Sequence, residues 1–248
     1  MKNKKITFLF AAFVVSIFAN TTNVIALESF RANYKIYKGP IKVGSIKRIL
    51  EIDDAGHYVF KSHMESSGFV KFLSGSLLSE TSQGKISNGK MAPESYVRKT
   101  DKKNKNYVLF FDRENNSVQR TDIDSGYQEN LEADTYDKLS YQAQMMMELG
   151  TISPKGLTYD IASQKKIIKY KINLVGKKEI SSPVGTFETV IVNRKDPESS
   201  KETTVYCASE LNWLPVRIEH TDKKGRSMAA KLYSLSKENI GNSSYSNY

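Results

Sequence analysis

Few residues of this chain have types that could do chemistry, and most of those fail on spacing. Gly84-Lys85-Ile86-Ser87-Asn88-Gly89-Lys90-Met91 has the glycine and lysine intervals of a phosphate-binding loop, but Met91 stands where a hydroxyl would hold magnesium. Ala92-Pro93 then prevents a helix from opening there, so the glycines read as turn residues. Asp122, Asp124 and Gly126 have the outline of a calcium loop, yet its closing bidentate acid falls on Ala133. His57 and His63, on one strand, would be about 20 Å apart, too far to share a metal. His220 stands alone. Cys207 is the only cysteine, which excludes an intramolecular disulfide, a CxxC pair and a cysteine-built zinc site. It reads as a buried apolar residue, and a nucleophilic pairing with His220 would need the fold to bring the two together. No GxSxG elbow is present. This reading assigns no catalytic residue, no metal ligand and no cofactor.

Binding is the chemistry that remains. From Tyr136 to Leu149 the apolar residues Leu139, Ala143, Met146 and Met147 recur at helical spacing, with Asp134 and Asp137 at the positive end of the dipole. Asp134 or Thr135 can cap this helix and Gly150 can end it. Leu139, Ala143, Met146 and Met147 are the candidate ligand-binding residues. Two readings of them stand. In one the helix is packed core with methionine filling gaps. In the other it is a movable lid, its unbranched side chains accepting ligands of varied shape and few specific contacts holding it shut.

The elements that must position this helix read as strands. Ile168, Tyr170, Ile172 and Leu174 alternate with Lys169, Lys171 and Asn173, the period of a half-buried strand. Leu214, Val216, Ile218 and His220 alternate with Arg217 and Glu219, and Asp222-Lys223-Lys224-Gly225 then turns the chain into Met228 to Leu235. Arg31 to Tyr37, Val43 to Ile52 and Tyr58 to Met64 have hairpin spacings, as do Tyr107 to Phe111 and Val118 to Ile123. Pro183-Val184-Gly185-Thr186 suits a tight turn, and Leu214-Pro215 a strand start. The predicted fold class is all-β: a curled antiparallel meander, or incomplete barrel, with the one amphipathic helix packed on its concave side. A two-lobed arrangement split at the helix is the alternative.

The chain has 248 residues and an apolar content of 39%, which suits neither a disordered chain nor a polytopic membrane protein. Basic residues cluster between Arg98 and Lys105 and between Lys165 and Lys178, and acids between Asp122 and Asp137. Each cluster reads as a solvated face, or the basic ones as contacts to anionic lipid headgroups or an acidic envelope polymer. Lys2, Lys4 and Lys5 precede an apolar run from Ile6 to Ala19, with Val24 and Ala26 at the positions a signal peptidase reads. The run is shorter than the roughly 20 residues a bilayer requires, so residues 1–26 are predicted to be a cleaved signal peptide. Residues 27–236 would form one β-rich domain, and 237–248, rich in Asn and Ser, a flexible tail. Removing the leader's three lysines lowers the net charge from +10 to +7. An exported chain does not meet genomic DNA, so nucleic acid is set aside as a partner.

Phe30-Arg31-Ala32-Asn33-Tyr34 followed by Val43-Gly44, then Asp137-Lys138-Leu139-Ser140, Ser182-Pro183-Val184-Gly185-Thr186-Phe187 and Leu214-Pro215-Val216-Arg217-Ile218, resembles the exported bacterial family known as domain of unknown function 3108. The chain departs from that family in having Tyr206 in place of a tryptophan and Lys138 in place of a proline. The resemblance implies an exported, β-rich envelope protein, periplasmic in a Gram-negative cell. It brings no activity, cofactor or site residue.

Three functions fit these readings. One is a carrier for a lipid or acyl ligand held in the concave sheet, another a structural protein of envelope assembly with a filled core. The third is a hydrolase whose site assembles only in three dimensions. Candidate partners are a lipid or acyl ligand, an anionic membrane surface or an envelope protein.

Overall fold

The alternating stretches form strands: β1 (Phe30–Lys38), β2 (Ile41–Ile52), β3 (His57–Ser66), β4 (Leu77–Ser87), β5 (Lys90–Thr100), β6 (Tyr107–Asp112), β7 (Ser117–Arg120), β8 (Gln128–Asn130), β9 (Thr135–Tyr136), β10 (Leu157–Ala162), β11 (Ile167–Ser182), β12 (Gly185–Lys195), β13 (Glu202–Ala208), β14 (Leu214–Thr221) and β15 (Ser227–Ser236). The one helix of more than a single turn among the described residues is α1 (Ser140–Glu148). The structure, a computed structural model, describes residues 27–66, 77–121, 128–132, 134–151, 156–195 and 200–237. The expected leader at 1–26, the tail beyond Lys237, the calcium-like Asp122, Asp124 and Gly126, and Ala133 lie outside them.

All fifteen strands join in one sheet with β1 at its middle, β2 to β8 following in order on one side and β15 back to β9 on the other. Strands before and after the helix thus meet along β1 and β15, and the two-lobed alternative does not hold. Among the described residues every pairing is antiparallel except β9 with β10, which α1 separates in the chain as a parallel crossover requires. The free edges, β8 and β9, are consecutive in sequence, and the sheet does not close between them. A side chain spans the gap instead: the Ile167 N–H donates to Glu129 Oε2 at 2.9 Å. These edges are only three and two residues long, so little unpaired ladder is left open.

Register shifts at Asn33/Tyr34, Ile36/Tyr37, Gln83/Gly84, Leu174/Gly176 and Tyr206/Cys207 mark bulges, which bend strands and add twist until the sheet curls. The phosphate-loop-like stretch is the β4–β5 hairpin. Asn88 and Gly89 both take positive φ in its tight turn. A Cβ on Gly84 would lie 2.1 Å from the Ala92 carbonyl oxygen, so that glycine lets β5 approach at the bulge.

The β14–β15 turn is fastened by Asp222, whose Oδ1 accepts from the backbone N–H groups of Lys224 and Arg226, while Oδ2 accepts from Arg226 Nε at 2.7 Å. The Arg226 side chain and then its backbone N–H hold this carboxyl at about 2, below the usual carboxylate range. Because the pKa is depressed by folding, its contribution to stability is present above about pH 4 and is lost as pH falls toward 2. An NMR titration should show Asp222 protonating near pH 2, and Arg226→Gln should raise that midpoint; titration at the free carboxyl value would show that the turn is open in solution.

Helix α1 begins later than its periodicity suggests, because Tyr136 belongs to β9. Neither Asp134 nor Thr135 caps it. Asp137 does, its Oδ1 accepting from the N–H groups of Leu139 at 2.7 Å and Ser140 at 2.9 Å, while Ser140 Oγ accepts from the Asp137 N–H. Asp134 instead pairs with Lys90 at the surface.

Candidate functional site

Side chains on one face of a strand recur every second residue, and on β2 that phase reads Ile46, Arg48, Leu50. An arginine therefore sits where the pattern calls for an apolar side chain. Arg48 faces Ser62 on β3, Ser62 faces Glu80 on β4, and Glu80 faces Arg98 on β5. Across the middle of the sheet, His220 of β14 faces Thr203 of β13, and Thr203 faces Arg194 of β12. The row two residues along from Arg48 consists of Leu50, Phe60, Ser82 and Tyr96, all buried. A polar row thus borders a packed row on the concave face.

Arg48, Glu80, Arg98, Arg194, Thr203 and His220 line a cavity of about 390 Å³ between the sheet and α1. Its apolar wall includes Leu78, Ile172, Val192, Val205 and Ile218, and α1 contributes Tyr141, Gln142 and Met145. Arg98 Nη1 donates to Glu80 Oε1 at 2.8 Å. Among the described residues neither Arg48 nor Arg194 meets a carboxylate. Arg194 lies 4.1 Å over the Tyr170 ring and donates weakly to Thr203 Oγ1 at 3.3 Å; the Arg48 guanidinium is 5.6 Å from the Tyr34 ring centre. Among the described residues the Nε of each is buried without a hydrogen-bond partner.

Burial, and next the charges of Arg194 and Lys201, push the His220 imidazole below its usual value, so it is neutral at pH 7. Its Nδ1 lies 3.0 Å from Thr203 Oγ1. Burial and the Arg98 charge also lower the Lys138 ammonium, which Glu80 opposes. Lys138 therefore stands beside the same cluster.

Of the four residues singled out from the sequence, Leu139, Ala143 and Met146 are buried in the core and Met147 is half-buried against it. None of the four lines this cavity. Met146 instead borders a hollow of about 10 Å³ with Leu27, Phe30 and Leu235, room for one water at most. Consecutive residues point 100° apart on a helix, so of the two methionines buried in the core Met145 also lines the cavity, whereas Met146 does not.

The helix is also firmly held. Asp137 Oδ2 accepts from Ser82 Oγ at 2.6 Å, and Ser82 Oγ lies 3.1 Å from the Tyr58 hydroxyl. Gln144 Oε1 accepts from the Met91 N–H at 2.8 Å, and Glu148 Oε2 accepts from the Tyr159 hydroxyl at 2.7 Å. A lid held by few specific contacts does not describe it. Acid spacing along the chain gave no sign that Asp137 would be buried, since a long-range partner, Ser82, decides it.

The remaining near misses resolve locally. Cys207 is fully buried, and burial raises its thiol well above the usual range. It faces Pro215, whereas His220 faces Thr203 four residues along β13, about 13 Å away, so no Cys207 and His220 pair forms. His57 and His63 pair outside the core with Asp53 and Glu65. Among the described residues no cluster of three or more His, Cys, Asp or Glu could hold a metal. In the basic stretches Lys169 pairs with Asp160 and Lys177 with Glu188, and Arg98 points into the cavity rather than to solvent. Among the described residues no helix is long and apolar enough to cross a membrane.

The curled sheet is similar to a β-barrel-like protein of domain of unknown function DUF1849 from Brucella abortus, at 9% identity and a TM-score of 0.57, covering 86% of this chain and 99% of that one. At that identity the likeness concerns the fold alone. Weaker overlaps link it to a protein described as a candidate lipoprotein from Parabacteroides distasonis, at 12% identity and TM-score 0.38 over 85% of this chain and 96% of that one. A third, at 12% identity and TM-score 0.27 over 87% of each chain, is with a domain from Vibrio parahaemolyticus described as a candidate outer membrane lipoprotein-sorting protein. No protein with a curated description matches the chain. The family described as Protein of unknown function (DUF3108) matches residues 29–231, from just before β1 into β15, and this chain belongs to it.

Proposed function

We propose that this is a non-catalytic, exported envelope protein that binds a lipid-like ligand between α1 and the concave sheet. The observation that carries this reading is the cavity itself. At about 390 Å³ it falls within the roughly 300–1,000 Å³ of small-molecule sites, and much of its wall is aliphatic. An acyl chain entering it would be removed from water at a gain of about 0.8 kcal/mol per methylene. Export is supported by the basic start and short apolar run of residues 1–26. The non-catalytic reading is supported by the burial of Cys207 and its separation from His220.

Purified protein should take up a fluorescent fatty acid saturably. Val205→Trp, which fills the cavity from its β13 wall, should abolish uptake while circular dichroism shows the fold retained. Uptake undiminished by Val205→Trp would place the ligand elsewhere, and no uptake by the parent protein would remove the lipid reading.

A further inference from the structure

We propose that the ligand is an amphiphilic anion, its carboxylate or phosphate oxygens seated on Arg48 and Arg194 and its hydrocarbon chain lying against Met145, Val192, Val205 and Ile218. The inference rests on the lipid-binding reading and specifies the chemistry of the ligand's polar end.

Three arginines and one glutamate line the cavity. Glu80 is committed to Arg98 and also accepts from the Tyr96 hydroxyl, so two guanidinium groups face the space without an acid. Arginine is the cation suited to pairing with a carboxylate or phosphate in a half-buried site. Lys138 adds charge of the same sign beside the site. Half-buried like charges in a concave, weakly solvated space are costly alone and bind a counter-charge strongly.

The hydrogen bonding points the same way. Among the described residues the Arg48 side chain has no acceptor and Arg194 has only its weak bond to Thr203 Oγ1 at 3.3 Å, so both forks have donors to spare. The planar fork of each guanidinium matches the paired oxygens of a carboxylate or phosphate. A neutral lipid would leave the remaining donors of both forks without an acceptor, and a cationic one would be repelled. The aliphatic wall fits a hydrocarbon chain in the same cavity, so charge and apolar surface call for one molecule carrying both.

The test is binding of dansyl-undecanoate and of its uncharged methyl ester, which differ only at the headgroup. The parent protein should bind the acid about tenfold or more tighter than the ester. Arg48→Gln combined with Arg194→Gln should remove that preference while ester binding is retained. Equal affinity for acid and ester in the parent, which needs no variant to fold, would overturn the anion proposal and leave the cavity reading standing. Binding of neither probe would overturn both. Displacement of the acid probe by lauroyl lysophosphatidate more strongly than by laurate would identify phosphate as the favoured headgroup, and the reverse order carboxylate. Displacement by neutral monolaurin equal to that by either anion would count against an anionic ligand.

Discussion

Asp137→Ala is expected to destabilise the protein by about 3–5 kcal/mol, a large share of the stability of an ordinary domain, measured as a fall in the urea midpoint. One carboxylate serves three donors: the Leu139 and Ser140 N–H groups at the start of α1, and Ser82 Oγ on β4. Its side chain is fully buried, so water cannot replace it at any of them. Alanine removes the helix cap, which alone costs about 0.5–2 kcal/mol, and leaves the Ser82 hydroxyl without its acceptor.

Asp137→Asn separates geometry from charge. Burial raises the Asp137 pKa, an effect opposed by its bonds from Ser82, Ser140 and Leu139, so the fold penalises the charge itself. Asparagine keeps an acceptor for the two helix N–H groups, and its amide can donate to Ser82 Oγ if that hydroxyl turns to donate to Tyr58. Most of the stability should return. An asparagine variant as unstable as the alanine one would show that the negative charge, and not the cap, holds the helix.

Met146→Ala is expected to cost about 2–5 kcal/mol while leaving affinity for a fatty-acid probe unchanged. Its side chain packs in the core beside a hollow already present, so truncation would enlarge a void rather than open a site. Met145→Ala should change probe affinity, because that side chain faces the cavity where an acyl chain would lie. If Met146→Ala altered uptake with little loss of stability, Met146 would be a ligand contact as its place in the sequence pattern first suggested.

Much of the fold was legible because its causes are local. Alternation in β1, the Asp222 to Gly225 turn and the Pro183 to Gly185 turn each depend on neighbours a few residues away, so the composition of the stretch determines the element. Helix α1 was legible for the same reason, but not its start. Asp137 caps it through the neighbouring Leu139 and Ser140 N–H groups, but the burial of its carboxylate against Ser82, on a strand far earlier in the chain, has no local sign.

The cavity proposed for binding has one sign in the sequence. Arg48 between Ile46 and Leu50, and Arg194 two residues after Val192, are charges in the inward phase of a half-buried strand. Helical spacing marks Leu139, Ala143, Met146 and Met147, and a ligand-lining apolar face and a core-packing one have the same periodicity.

By itself the sequence determined an all-β fold with one amphipathic helix and the turns that fold it back, since these follow from short-range spacing and composition. Tertiary structure decided which helix face meets the cavity, where the sheet stays open and that Arg48 and Arg194 share one space. Those two arginines are 146 residues apart, and they meet only because β15 returns to pair with β1. Register between distant strands is set by the joint packing of every intervening strand and bulge, which no local pattern contains.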